Sequence, residues 1–227
     1  MDQNVTQLVN ALMANASEEL ADPMEAYMRG KFKYLGLKAP LRKEVLKENF
    51  NKKAISDKSH LKKILVSLWD SPYRECQYCA VEIARSNIKL FNEDDIEFFE
   101  GLITSRPWWD TVDHIAPNII GSILAKLPKE KRWLYSESWI LSDNLWLQRT
   151  SIIFQLFYKK NTDFALLTNN ILATLETKDF FIRKAAGWAL CQYTRTNKND
   201  VVHFVEEYQD VLSALTIKEA LKLLEGK

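Results

Sequence analysis

Four segments of the chain repeat one pattern at intervals of 40, 37 and 35 residues. They are LWDSPYRECQYCAVEIA from Leu68, WWDTVDHIAPNIIGSIL from Trp108, LWLQRTSIIFQLFY from Leu145 and FFIRKAAGWALCQY from Phe180. Each opens on an aromatic residue and then sets small or apolar residues on one helical stripe. A unit of about 40 residues holds two helices and cannot bury its apolar face alone, so neighbouring units must stack. The spacing therefore predicts an all-α solenoid of antiparallel helix pairs with a concave face, read as a single domain over residues 1–227. Only six glycines and six prolines in 227 residues leave little material for an all-β or linker-rich chain.

Helix punctuation agrees with this reading. Asp22-Pro23 and Ser71-Pro72 read as N-caps followed by proline at the first helical position. Thr216 and Glu219 have capping-box spacing and open a last helix ending near Gly226. VVHFVEEY places Val201, Val205 and Tyr208 at helical intervals, so it reads as a helix despite its β-branched pair.

Net charge is only +1, but it is unevenly distributed. Arg29–Lys53 carries nine basic residues against two acids, and Lys178–Lys198 carries five against one. Between them Leu90–Asp113 holds seven acids against Arg106 alone. Two basic segments around an acidic one are compatible with gripping phosphates on either side of a working carboxylate. The plainer reading of each run is a solvated helix face.

Several chemistries lose their usual support. The start has neither the basic region nor the long apolar run of a secretory leader, and no stretch has the length of a membrane span. The chain reads as soluble and cytoplasmic. Three cysteines fit free thiols in a reducing compartment, and Cys76-x-x-Cys79 lacks a second ligand pair, so no metal is expected. His60, His114 and His203 fall in no ligand spacing. No nucleophile elbow, glycine-rich phosphate loop or dinucleotide fingerprint occurs.

RPWWDTVDHIAP, Arg106–Pro117, places Trp109 and Asp113 four apart on one helix face, an indole beside a carboxylate. NLWLQRT puts Arg149 on the face of Trp146, and FFIRKAAGW puts Lys184 one turn before Trp188. Aromatics interleaved with cations suit contact with a nucleic-acid backbone.

Taken in order, ADPMEAYMRGKFKYLGLKAPLRK, LWDSPYRECQYCA, RPWWDTVD, SDNLWLQRTSIIFQL and FFIRKAAGWALCQYTRTN resemble the AlkD-type DNA alkylation-repair family, whose members are HEAT-like-repeat DNA glycosylases that remove alkylated purines. The resemblance runs from about Pro23 to Lys222. It implies Asp113 as the catalytic carboxylate, with Trp109 and Trp188 as aromatic walls of the cleft. It also implies Arg149 as a DNA-contacting residue near the lesion, Tyr27 as a DNA-contacting residue on the N-terminal side of the site, and association with the nucleoid during repair. Lys184 is read as DNA-contacting from its place one turn before Trp188, and Lys38 receives no chemistry. The substrate would be double-stranded DNA containing N3- or N7-alkylated purines, handled by a monomer without cofactor or metal. The plainer readings keep the tryptophans as core, Asp113 as a first-turn residue beside Asp110, and Arg149 as the partner of a neighbouring acid. A reading of another class is a non-catalytic helical scaffold that binds DNA structures or proteins.

Overall fold

In the computed structural model, which describes residues 2–224, every regular element is a helix. The predicted all-α class is what the chain adopts. Backbone contacts divide it into two compact units, Met1–Phe91 and Asn92–Lys227.

The first unit contains α1 (Gln3–Ala14), α2 (Glu18–Tyr27), α3 (Ala39–Asn49), α4 (Lys58–Trp69) and α5 (Arg74–Ser86). The apolar residues Val5, Leu8 and Leu12 of α1, and Leu61, Ile64, Leu65 and Leu68 of α4, recur at three and four residues and are completely buried. That stripe makes α1 pack on α3 and α4, and α4 on α5. Asp2 caps α1 by accepting from the N–H groups of Asn4 and Val5, and Asp57 caps α4 through His60 N–H.

Two predicted caps are corrected here. Helix α2 starts earlier than Asp22-Pro23, with Ser17 at its N-cap position, so Pro23 lies inside it. At the sixth position Pro23 cannot donate to the Glu19 carbonyl, and the helix runs on to Tyr27 without that one bond. Helix α5 begins at Arg74 behind Tyr73, and Ser71 instead turns the preceding chain by accepting from Tyr73 N–H.

The connection after α2 is pinned by Glu75. Its buried carboxylate accepts hydrogen bonds from the N–H groups of Leu35, Gly36 and Leu37 at 2.9–3.2 Å. Gly36 sits at φ +85, and a Cβ there would stand 2.1 Å from the carbonyl oxygen of Ser17. Only glycine allows that approach.

The second unit contains α6 (Ile96–Ser105), α7 (Trp109–Ile115), α8 (Gly121–Leu124), α9 (Lys129–Ile140), α10 (Leu145–Ile153), α11 (Phe164–Ala173), α12 (Phe180–Thr194), α13 (Lys198–Glu207) and α14 (Ala214–Leu221). The repeated segments starting at Trp108, Leu145 and Phe180 become α7, α10 and α12. Helix α10 packs on both α7 and α12, while α6 and α9 back α7 and α10. This is the layering that the repeat spacing predicts within this unit. VVHFVEEY lies in α13 and the turn after it, and Val201 and Val205 are buried as its spacing requires. Helix α14 is capped by Ser213, which accepts from Thr216 N–H, so Thr216 is inside the helix rather than its cap. Gly226 lies outside the described residues.

Helices α7 and α8 are joined by a π-helical turn over Ala116–Ile120. Pro117 has no N–H to give the carbonyl of Asp113, four residues back, and a widened turn absorbs the missing bond. The helix that carries Asp113 therefore changes geometry immediately after it.

Candidate active site

Asp113 is on the last full turn of α7, and the carboxylate is 17% exposed. Arg149 of α10 meets it side-on. Its Nε donates to Oδ1 at 2.7 Å and its Nη2 to Oδ2 at 2.8 Å, while Nη1 donates to the carbonyl oxygen of Phe181. The guanidinium fork matches both carboxylate oxygens, so it fixes the plane of the group as well as its position. An ionised carboxylate offers about four acceptor sites and Arg149 takes two of them. The others, on a partly open side chain, remain for a water or a substrate.

Local sequence sets this geometry. Asn144 caps α10 by accepting from Trp146 and Leu147 N–H, and Gln148 donates back to Ser142 O. Asp179 caps α12 by accepting from Phe181 and Ile182 N–H, which fixes the first turn and so the Phe181 carbonyl. Trp146, three residues before Arg149, packs with Trp108 and Phe181. The three ring centroids lie 5.1–5.6 Å apart. This aromatic cluster encloses the side of the site where Arg149 enters, and Arg149 is only 4% exposed.

Burial pushes the Asp113 carboxyl up from its ordinary value, and the two hydrogen bonds and positive charge of Arg149 oppose that rise. His114, next in sequence, is exposed and contributes a weaker effect in the same direction as Arg149.

The other expected residues fall in different settings. Trp109 is half-buried at the start of α7, one turn before Asp113, as its spacing predicts. Trp188 is half-buried on α12 and packs against the apolar core formed with α10, α13 and α14. Arg149, whose sequence readings are a DNA-contacting residue near the lesion and the partner of a neighbouring acid, has all three guanidinium nitrogens engaged by Asp113 and the Phe181 carbonyl. Lys184 is 38% exposed and its ammonium meets Glu219 of α14 at 2.5 Å. Tyr27 ends α2 in the first unit and is 71% exposed.

Sequence reasoning missed Trp108, the Phe181 carbonyl and the clustering of Trp146 with both. The signal for them was the first tryptophan of RPWWD and the second phenylalanine of FFI, each adjacent to a residue singled out. The Cys76/Cys79 pair is buried in α5, and burial raises both thiols above their ordinary value, Cys79 the more strongly, as suits inert core cysteines. Among the described residues no group of three or more His, Cys, Asp or Glu is placed to hold a metal ion.

The family model for DNA alkylation repair enzymes matches residues 8–224, which is nearly the whole chain and includes Asp113, Arg149 and the three aromatic residues around them. The chain belongs to the DNA alkylation repair enzyme family. A solved structure described as a predicted DNA alkylation repair enzyme from Enterococcus faecalis is similar to this family member at 30% identity. That similarity covers 93% of this chain and 98% of the other, with a TM-score of 0.85. Among curated proteins none matches it. For an enzyme of this family, no helix among the described residues is long and apolar enough to cross a membrane.

Proposed function

We propose that this repair enzyme is a DNA glycosylase that hydrolyses the N-glycosidic bond of cationic N3- or N7-alkylated purines in duplex DNA, with Asp113 as its catalytic carboxylate. The single observation that supports this most is the bidentate Arg149–Asp113 pair. It orients the carboxylate and favours its ionised form against the effect of burial, while leaving acceptor capacity open.

The chemistry suits such a group. A purine alkylated at N3 or N7 carries a positive charge, so its bond to C1′ is already weakened. As that bond breaks, its electron pair moves to the base and neutralises it, and C1′ becomes an oxocarbenium-like cation. Water oxygen then bonds to C1′, and its proton passes to Asp113 or solvent. A preorganised carboxylate lowers this barrier electrostatically and orients the water, an effect worth about 3 kcal/mol by comparison with other preorganised charge-stabilising groups. An indole such as Trp109 adds on the order of 1 kcal/mol of attraction for the developing cation. Neutral lesions, whose bases leave poorly, are poor substrates on this reading.

In this scheme Arg149 is a positioning residue, acting through Asp113. Its burial favours that role over direct contact with the backbone. With Trp109, Trp188 is proposed as an aromatic wall of the cleft, and Tyr27 and Lys184 as DNA-contacting residues, in a monomer that acts without cofactor or metal.

The deciding experiment incubates purified protein with methylated duplex DNA and identifies released bases by chromatography. Release of N3-methyladenine or N7-methylguanine supports the reading. Tight, salt-sensitive DNA binding without release would replace it with the non-catalytic scaffold.

A further inference from the structure

A second recess lies within the same unit, beyond Arg149 on α10 and beyond Trp188 on α12. It is a cleft of about 560 Å³, beginning with Ile152 and Ala189 and reaching the connection Phe157–Thr162. Its volume is in the range of small-molecule sites. Its floor is apolar, formed by Ile152, Leu156, Leu167 and Ala189. Phe157, 51% exposed, and Tyr193 provide aromatic edges.

The charge of the lining is one-sided. Lys159, Lys160 and Arg195 face the cleft and no carboxylate does. None of the three takes part in an ion pair among the described residues. The nearby acids are already engaged: Asp163 by Lys129 and Trp133, and Asp200 by the Tyr193 hydroxyl. Lys159 also adopts φ +55, which is uncommon for a residue with a side chain and clusters at ligand sites in folded proteins.

We propose that this cleft binds a nucleoside monophosphate unit, with the phosphate at Lys159, Lys160 and Arg195 and the base on the apolar floor between Phe157 and Tyr193. Three cations exceed what a single carboxylate ligand would call for, and they suit a phosphate. The polar part of the lining discriminates between a fatty chain and a heteroaromatic ring. Gln155 is committed to the Asp163 backbone, but Gln192, Thr162 and Thr196 also line the cleft and have polar groups available for a base edge. A purely aliphatic ligand would leave those groups unmet. Such a unit could come from a free nucleotide or from a strand of DNA, since the cleft continues along the two helices that carry Arg149 and Trp188.

The test uses the full chain and 2′-deoxyadenosine monophosphate, followed by calorimetry at low salt. Binding at least tenfold tighter than inorganic phosphate or deoxyadenosine is expected. Lys160→Glu with Arg195→Glu, both exposed, weakens it tenfold or more without changing thermal melting. Thr196→Trp, which narrows the cleft without altering charge, weakens it as well. A short single-stranded oligonucleotide that loses affinity by the same factor identifies a strand as the source, whereas loss confined to the mononucleotide identifies a free nucleotide. Unchanged affinity in both variants, or phosphate binding as tightly as the nucleotide, overturns the proposal. Asp113→Asn keeps nucleotide binding, so failure here and failure of the glycosylase reading are separate results.

Discussion

At Asp113 burial raises the carboxyl's proton affinity and Arg149 lowers it. The proposed chemistry needs the carboxylate, so excision falls as pH drops through a value above that of an ordinary aspartate. Replacing Arg149 with Gln removes the opposing charge and moves the acidic limb of the pH–rate profile further upward. An unmoved limb would show that Arg149 does not tune this group. For stability the sign reverses. A native carboxyl that holds its proton more tightly than the unfolded chain contributes stability that declines as pH rises from the ordinary aspartate value through the raised one. Asp113→Asn is expected to lower excision by about a hundredfold or more, on the order of 3 kcal/mol, while retaining DNA binding. Equal release of N7-methylguanine by both proteins would remove Asp113 from the chemistry. The variant leaves Arg149 without its counter-charge, so its melting temperature should be measured alongside.

Helix α12 lies close against α14, and glycine makes this possible. A Cβ on Gly187 would stand 2.5 Å from Cβ of Glu219 and 2.8 Å from the Thr216 carbonyl oxygen. Gly187→Ala therefore forces α14 away from α12 and strains the Lys184–Glu219 pair. A loss of about 2 kcal/mol follows from overpacking of this kind, roughly 4–8 °C in melting temperature for a chain of this size. Differential scanning calorimetry reads it directly, and a melting temperature within 1 °C or so of the parent would contradict the packing argument. The helices themselves were legible because their apolar residues recur every three or four positions. Their starts were less so. Ser17 stands at the N-cap position of α2 without a side-chain cap bond, and Ser213 caps α14 through Thr216 N–H, rather than Asp22-Pro23 and Thr216 starting these helices, because a start is set by where the chain can turn into the packed layer as well as by residue type.

Across the whole molecule a net charge of +1 conceals basic segments at Arg29–Lys53 and Lys178–Lys198. If these neutralise about four phosphates, a fourfold rise in salt weakens duplex binding roughly a hundredfold through counterion uptake. Filter binding between 50 and 200 mM salt, as rough bounds of the useful range, measures the slope. A flat response would mean that the charge runs are merely solvated faces. Lys184 shows why a charge count is a coarse guide, since Glu219 already claims it. Lys159 and Lys160, outside both segments, line a cleft instead.

The amino-acid order alone determined the all-helical class, the succession of α7, α10 and α12, and the sharing of one helix face by Trp109 and Asp113. Each of these follows from spacing within a single helix or from one unit to the next, where bond geometry leaves few choices. The folded chain decided what local spacing cannot: that Arg149 meets Asp113 from 36 residues away, that Trp108, Trp146 and Phe181 gather around it, and that Phe181 offers its carbonyl. A buried cation must find all its partners at once, and those partners come together only when three helices pack.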